Sequence, residues 1–160
     1  GGLFTRFIGT DGLRDELLIK DVGAEALKTS FFSSPTSPAD NPAQKTLHDA
    51  FNAEYTEGAD KAFVDQTYDA TMLALLAVEK AGSADRAKIA AALREVASAP
   101  GEKVGPGDWA KAKALIKEGK DIDYDGAGGA YDFDGNGDVT GYIGKFVVDG
   151  TTYKQIAVMQ

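Results

Sequence analysis

The stretch Asp132-Phe133-Asp134-Gly135-Asn136-Gly137-Asp138-Val139-Thr140 has the sharpest chemical spacing in this chain, matching a calcium loop at its first, third, fifth, sixth and seventh positions. The match ends where a bidentate Glu is required, because the twelfth position is Ile143, and the flanks read as strands where a calcium hand needs helices. Residues of this kind also build turns between strands, since they tolerate left-handed backbone, so we expect a turn and no metal. Nucleophilic catalysis lacks partners. The single histidine, His48, falls between Gln44 and Asn52 on a helix flank where a solvated polar face is expected, without an activated-nucleophile signature. Gly126-Ala127-Gly128-Gly129 neither opens a helix nor ends in Lys-Ser/Thr, so it reads as a flexible approach to a strand rather than a phosphate loop. Lys111, Lys113, Lys117 and Lys120 read as the solvated face of an amphipathic helix rather than an anion patch. Acid/base hydrolysis by Asp11 with the Asp132 to Asp138 cluster is disfavoured, because acidic turns of this kind are usually structural.

The elements that must position these residues follow from periodicity and punctuation. Phe4 to Gly9 reads as a strand closed by Gly9-Thr10-Asp11-Gly12, and a short helix follows with Asp11 as a plausible cap and Leu13, Leu17 and Leu18 at helical spacing before Gly23. Thr29 to Ser33 reads as a second strand, followed by a Pro/Ser-rich linker from Ser34 to Asp40. Asn41 caps a helix starting at Pro42, with an apolar stripe of Leu47, Ala50, Phe51 and Tyr55 that stops at Gly58. Phe63 to Ala81 is apolar nearly all round, which predicts a helix buried on most sides and ended by Gly82. Ser83 or Asp85 caps the next helix, with Ile89, Leu93, Val96 and Ala97 inward, and Asp108 caps a fourth. Ala130 to Asp134, Ile143 to Val148 and Tyr153 to Val158 read as strands, the last two joined by an Asp149-Gly150 turn. Strands at both ends enclosing helices predict an α/β protein.

Composition narrows the function classes. With 160 residues, 25 acidic against 17 basic side chains and 43% apolar residues, the chain has enough material for a core and too much negative charge for a nucleic-acid backbone or an anionic membrane surface. The absence of cysteine excludes disulfides, thiolate zinc sites and cysteine nucleophiles. The apolar run from Met72 to Val78 is far too short to span a bilayer, and the first residues show no export signal.

Taken in order, Phe7-Ile8-Gly9-Thr10-Asp11-Gly12, then Thr67-Tyr68-Asp69-Ala70 with Leu75 to Ser83, then Gly129-Ala130-Tyr131-Asp132-Phe133-Asp134-Gly135-Asn136-Gly137-Asp138 resemble the C-terminal half of the periplasmic leucine/isoleucine/valine-binding proteins of bacterial ABC importers. The resemblance implies a two-lobed α/β fold of the type I periplasmic-binding-protein kind, with about the first half of the family's length missing here. Residues 1–34 would belong to the second lobe, 35–138 to the helical return into the first, and 139–160 to the C-terminal strands of the second.

It also implies a function: a solute-binding component, not an enzyme, that holds a small apolar amino acid between its lobes and delivers it to an ABC permease. A ligand-sensing regulatory domain on the same fold is the alternative. Neither reading calls for a cofactor, a metal or nucleic acid; the implied location is the bacterial periplasm, and exposed strand edges invite self-association. Three residues carry the implied site. Asp11 occupies the acidic turn that family members use to pair with the ligand's α-ammonium, with a helix cap as its competing role. Phe63 matches an aromatic position lining the cleft, with burial in the helix core as its competing role, and Tyr68 lies just over one helical turn beyond it.

Overall fold

The computed structural model describes residues 5–56 and 58–160. Along the chain these form β1 (Ile8–Gly9), a 3-10 turn (Asp11–Leu13), α1 (Glu16–Val22), α2 (Ala24–Leu27), β2 (Phe31–Thr36), α3 (Pro42–Glu54), α4 (Val64–Ala81) and α5 (Arg86–Ala97). They continue with β3 (Glu102–Val104), α6 (Trp109–Lys117), β4 (Ile122–Gly126), β5 (Gly129–Ala130), β6 (Tyr142–Asp149) and β7 (Thr152–Met159). The chain divides into two compact units, one built from the residues up to Ala39 with Tyr142–Gln160, the other from Asp40–Gly141. Among the described residues no helix is long and apolar enough to cross a membrane.

The first unit is a four-stranded sheet in the order β1-β2-β6-β7, with β1 parallel to β2 and the remaining pairs antiparallel. Ile19, Leu27, Phe32 and Phe146 form its core. Tyr153 meets Phe32 edge-on at 5.0 Å between ring centroids, and the Arg14 guanidinium lies 4.3 Å over the Phe146 ring. The close approach of β1 to Phe32 needs Gly9, since a Cβ there would stand 2.4 Å from the ring. Strand β2 runs on through Ser34, Pro35 and Thr36, so the predicted linker begins inside a strand. Proline is tolerated there because β1 pairs only as far as Phe32, leaving that side of β2 unpaired at Pro35. Of the strand predicted from Phe4, only Ile8 and Gly9 pair, and Phe4 itself lies outside the described residues.

The second unit packs α4, α5 and α6 on a three-stranded sheet ordered β3-β4-β5. Leu73, Leu76 and Ala77 of α4 meet Ala92 and Val96 of α5, Ala112 and Leu115 of α6, and Val104, Ile122 and Tyr124 of the sheet. Helix punctuation follows the sequence at three ends, where Asn41 accepts from the Ala43 N–H, Asp85 from the Lys88 N–H, and Gly82 ends α4 in a left-handed conformation; Asp108 precedes α6 without a side-chain cap bond and accepts from the Gly105 N–H instead. Helix α4 is nevertheless not buried on most sides, because Leu75 and Val78 are exposed. In α3 only Leu47 of the predicted stripe is buried; Ala50 and Tyr55 face solvent. The strand predicted over Ala130 to Asp134 stops at Ala130.

Strands β3 and β4 are additions that the sequence reading did not make. Their charged residues look like loop, yet Lys103 Nζ reaches Asp123 at 3.0 Å and Asp125 at 3.5 Å across the parallel pair, and that pairing lets a buried Asp123 sit beside Tyr124. The hydrogen bond to Asp123 holds the Lys103 ammonium above its usual range.

The deepest charge in this unit is Asp69, on α4 and 0% exposed. Its carboxylate accepts from the Tyr124 hydroxyl (2.8 Å), the Tyr131 hydroxyl (2.8 Å) and the backbone N–H groups of Ala127 (3.0 Å) and Gly128 (2.6 Å). The glycine run at 126–129 is therefore no flexible approach; it is the tight turn between β4 and β5, closed around a carboxylate. A Cβ at Gly126 would stand 2.5 Å from that carboxylate. Asn41 completes the turn from its other side by donating to the carbonyls of Gly126 (3.0 Å) and Ala127 (2.9 Å).

Burial raises the Asp69 carboxyl above its usual 3.8, against the pull of its four donors, and burial with the adjacent carboxylate drives the Tyr124 and Tyr131 hydroxyls upward too. Asp69→Ala strands those donors without a partner and should cost about 3 kcal/mol or more of stability in urea unfolding. Asp69→Asn separates charge from shape. An acid raised on folding binds its proton more tightly in the folded state, so its titration favours folding fully below the unfolded-state value near 3.8 and loses that contribution as pH rises through the folded value. The stability advantage of the natural chain over Asp69→Asn should therefore be largest in acid and shrink as pH rises, measured as unfolding free energy from pH 3 to 7.

Candidate functional site

Asp11 stands two residues beyond β1, at the carboxyl end of a strand that pairs in parallel with β2. In open α/β sheets that end is where ligands bind, because the connections leaving the strands part there and expose backbone and side-chain polar groups. The turn that carries Asp11 is well held. Leu13 N–H donates to the Thr10 carbonyl (3.0 Å) and Arg14 N–H to that of Asp11 (2.9 Å), while the Tyr153 hydroxyl of β7 lies 3.2 Å from the Leu13 carbonyl and 3.1 Å from that of Asp15. Burial, followed by the Asp15 carboxylate, raises the Tyr153 hydroxyl above its usual range and keeps it protonated as a donor. Asp11 is not a helix cap. The cap of α1 is Asp15, whose Oδ1 accepts from Leu17 N–H at 2.7 Å, because a 3-10 turn intervenes and moves the helix start four residues on. Asp11 is left exposed, with no hydrogen bond or ion pair to its carboxylate among the described residues.

Phe63 and Tyr68 belong to the other unit. Phe63 immediately precedes α4, with a left-handed backbone (φ 69°) and 42% exposure, so burial in the helix core is not its role. Tyr68 behaves differently: it is half-buried, packs against the core of its unit, and its hydroxyl accepts weakly from Gly107 N–H at 3.4 Å. Five positions along a helix rotate a side chain by about 140°, which separates the two rings.

His48 is not on a solvated face. Its Nε2 is 2.8 Å from Asp65 Oδ1, while Gln44 donates to Asp65 Oδ2 at 2.7 Å, so α3 and α4 are joined through an aspartate only 8% exposed. Sequence reasoning missed this cluster and the Asp69 centre; the available signal was two acids one turn apart, Asp65 and Asp69, inside a mostly apolar helix.

Two lysines of α6 find acidic partners, Lys111 with Glu102 at 3.1 Å and Lys113 with Glu79 at 3.2 Å, and Lys120, beyond the end of the helix, pairs with Glu118 at 2.8 Å.

The Asp132 to Asp138 segment is a turn in which Asp134 Oδ1 accepts from the N–H groups of Asn136 (2.8 Å), Gly137 (2.9 Å) and Asp138 (2.9 Å). These bonds, Asp138's foremost, hold the Asp134 carboxyl below its usual range. Arg94 donates to the Asp134 carbonyl at 2.7 Å, and among the described residues no group of three or more His, Cys, Asp or Glu is arranged to hold a metal.

A four-stranded sheet with a parallel β1–β2 pair and a separate unit of helices on a short sheet make an α/β architecture, and it matches the type I periplasmic binding fold. A model of the family described as periplasmic binding protein matches residues 2–141, and the chain belongs to that family. Among solved structures it is similar to the leucine binding protein LivK of Thermotoga maritima MSB8, at 27% identity and a TM-score of 0.67, over 98% of this chain and 38% of that one. The branched-chain amino acid transporter substrate binding protein LivJ of Streptococcus pneumoniae, solved in complex with isoleucine, shares the fold at 19% identity and a TM-score of 0.64, over 98% of this chain and 37% of that one. A curated relative is the chemotactic signal transduction system substrate-binding protein BasB of Halobacterium salinarum, 31% identical over 158 residues that cover 89% of this chain and 38% of the relative. The chain thus spans well under half the length of the relatives it matches.

With Asp134 Oδ1 committed to three backbone donors and the bidentate position occupied by Ile143, calcium should not bind specifically at this turn. The melting temperature in millimolar calcium should equal that in millimolar magnesium; a rise with calcium alone would mean that the turn is a metal site.

Proposed function

We propose that this chain supplies part of a solute receptor for a small apolar amino acid, of the branched-chain kind, and that the receptor delivers its ligand to an ABC permease from a periplasmic location. It acts by binding alone, with no covalent step and no cofactor. The observation that carries this reading is the exposed carboxylate of Asp11, without a hydrogen bond or ion pair among the described residues, at the carboxyl end of parallel strand β1 in a turn fixed by Tyr153. A carboxylate without an internal partner is the group an α-ammonium requires, because transferring that cation out of water is costly unless an opposite charge meets it. Exposed Phe63 gives an apolar surface for the ligand side chain. Membership of the periplasmic binding protein family and the likeness to a leucine binding protein support the choice of ligand class. The open edges of β1 and β7 are the surfaces through which self-association would occur.

A second reading has its own support. The similarity to a chemotactic substrate-binding protein favours a receptor whose ligand-bound form is read by a signalling partner instead of a permease. Cross-linking the liganded receptor in its native membrane separates the two, through the class of membrane protein that is captured.

The role of Asp11 is tested by Asp11→Ala in the full-length receptor, with amino-acid affinity and melting temperature measured together. Removing a carboxylate that neutralises a buried ammonium costs about 3–5 kcal/mol, or roughly two to three and a half decades of affinity. A loss of about a hundredfold or more is expected, with the melting temperature unchanged because Asp15 caps the helix. A loss of about tenfold or less would remove Asp11 from the site.

A further inference from the structure

Phe63 has an unusual backbone. A bulky residue at φ 69° is an outlier, since left-handed conformation drives Cβ toward the following carbonyl at about 1–2 kcal/mol per residue. Such a conformation persists only where its surroundings over-determine it. Here the surroundings can be named. Thr67 N–H donates to the Phe63 carbonyl at 2.8 Å, opening the hydrogen-bond ladder of α4, although Phe63 provides no side-chain cap. Holding the first turn of α4 then falls to Asp65, which lies in that turn, is 8% exposed, and takes Gln44 on one oxygen (2.7 Å) and His48 on the other (2.8 Å). Gln44 and His48 are one turn apart on α3 and therefore share a face. A carboxylate only accepts, so His48 Nε2 carries the proton in this contact. The aspartate is also favourably placed for the N-terminal end of the helix dipole. Together these contacts tie the helix start that follows Phe63 to α3.

We propose that Asp65, clamped by Gln44 and His48, is a positioning residue that holds Phe63 in its left-handed conformation and thereby sets which ligand side chains the receptor prefers. This rests on the reading of Phe63 as an apolar wall for the ligand. The clamp acts through Phe63 and does not touch the ligand. If the clamp is released, Phe63 relaxes toward an ordinary helical or extended backbone and its ring swings off the ligand side chain, so discrimination falls while the ammonium contact at Asp11 survives.

The experiment uses Asp65→Asn, His48→Leu, His48→Gln and Phe63→Ala, with two readouts. In this chain, the intraresidue HN–Hα nuclear Overhauser effect of Phe63 reports positive φ. In the full-length receptor, the ratio of leucine to alanine affinity reports discrimination. Phe63→Ala should lower that ratio by about tenfold or more, the worth of a methylene or two in an apolar pocket. Asp65→Asn and His48→Leu should weaken the Phe63 signal and lower the ratio by about threefold or more, whereas His48→Gln keeps a donor and should retain both. Lowered melting temperature with the ratio and the Phe63 signal intact would make the clamp a purely structural contact and overturn the inference. An unaltered ratio in Phe63→Ala would instead overturn the wall reading itself. If Asp65→Asn does not fold, His48→Leu, altered at the more exposed partner, decides alone.

Discussion

A carboxylate taken wholly out of water must have its lone pairs met by donors, and in the Asp40–Gly141 unit that requirement at Asp69 dictates much of what surrounds it. Helix α4 brings the acid, β4 brings the Tyr124 hydroxyl, the turn after β4 brings two backbone N–H groups, and the chain after β5 brings the Tyr131 hydroxyl. All four donors lie between Tyr124 and Tyr131, so neither α4 nor that stretch can shift against the other without uncovering a buried charge. The glycines of that turn follow from the same cause: the backbone must approach the carboxylate so closely that no side chain fits at Gly126, and at Gly128 a Cβ would stand 2.6 Å from the Tyr131 hydroxyl. What reads as a loose glycine run is a tightly constrained turn.

The first unit solves its packing without a buried aspartate. Its core is aromatic and aliphatic, with Phe32 between Tyr153 and Phe7 in edge-on contacts and Arg14 lying across Phe146. The polar end of Tyr153 fastens the turn after β1 through carbonyls, which leaves the nearby carboxylate of Asp11 uncommitted. The contrast with Asp69 is chemical. An acid with four internal donors has no capacity left for a ligand, whereas an exposed acid at the end of a parallel strand can neutralise an incoming cation without first giving up a bond.

Helices were legible in the sequence because their signals are local. Asn41 before Pro42, Asp85 before Arg86 and Gly82 after Ala81 state their own positions. Strands β3 and β4 were not legible, because Lys103 with Asp123 is a cross-strand ion pair whose partners are far apart in sequence, and without the pairing each residue looks solvated. The same reason hid the role of His48, since its partner Asp65 lies on another helix. Asp11 was singled out through resemblance, yet its competing role as a cap failed on a local detail: a 3-10 turn delays the helix so that Asp15 takes the cap. Phe63 was singled out as well, but nothing in the residue type announces a left-handed backbone, which is imposed by the hydrogen bonds around it.

Asp65 and Asp69 sit one turn apart on the same helix, a spacing at which two carboxylates repel. Each is nonetheless buried, so the repulsion must be offset by separate sets of donors, and the two sets come from different sides of the unit: α3 for Asp65, the sheet and its turn for Asp69. A helix held at one polar point can still rotate or slide about that point. A helix held at two, through groups whose hydrogen bonds fix direction as well as distance, can do neither. Apolar packing of Leu73, Leu76 and Ala77 fills space but specifies rotation less sharply, because neighbouring packings differ little in buried area. The paired aspartates therefore give α4 a unique setting, and the residue just before its first turn, Phe63, inherits a defined direction from them.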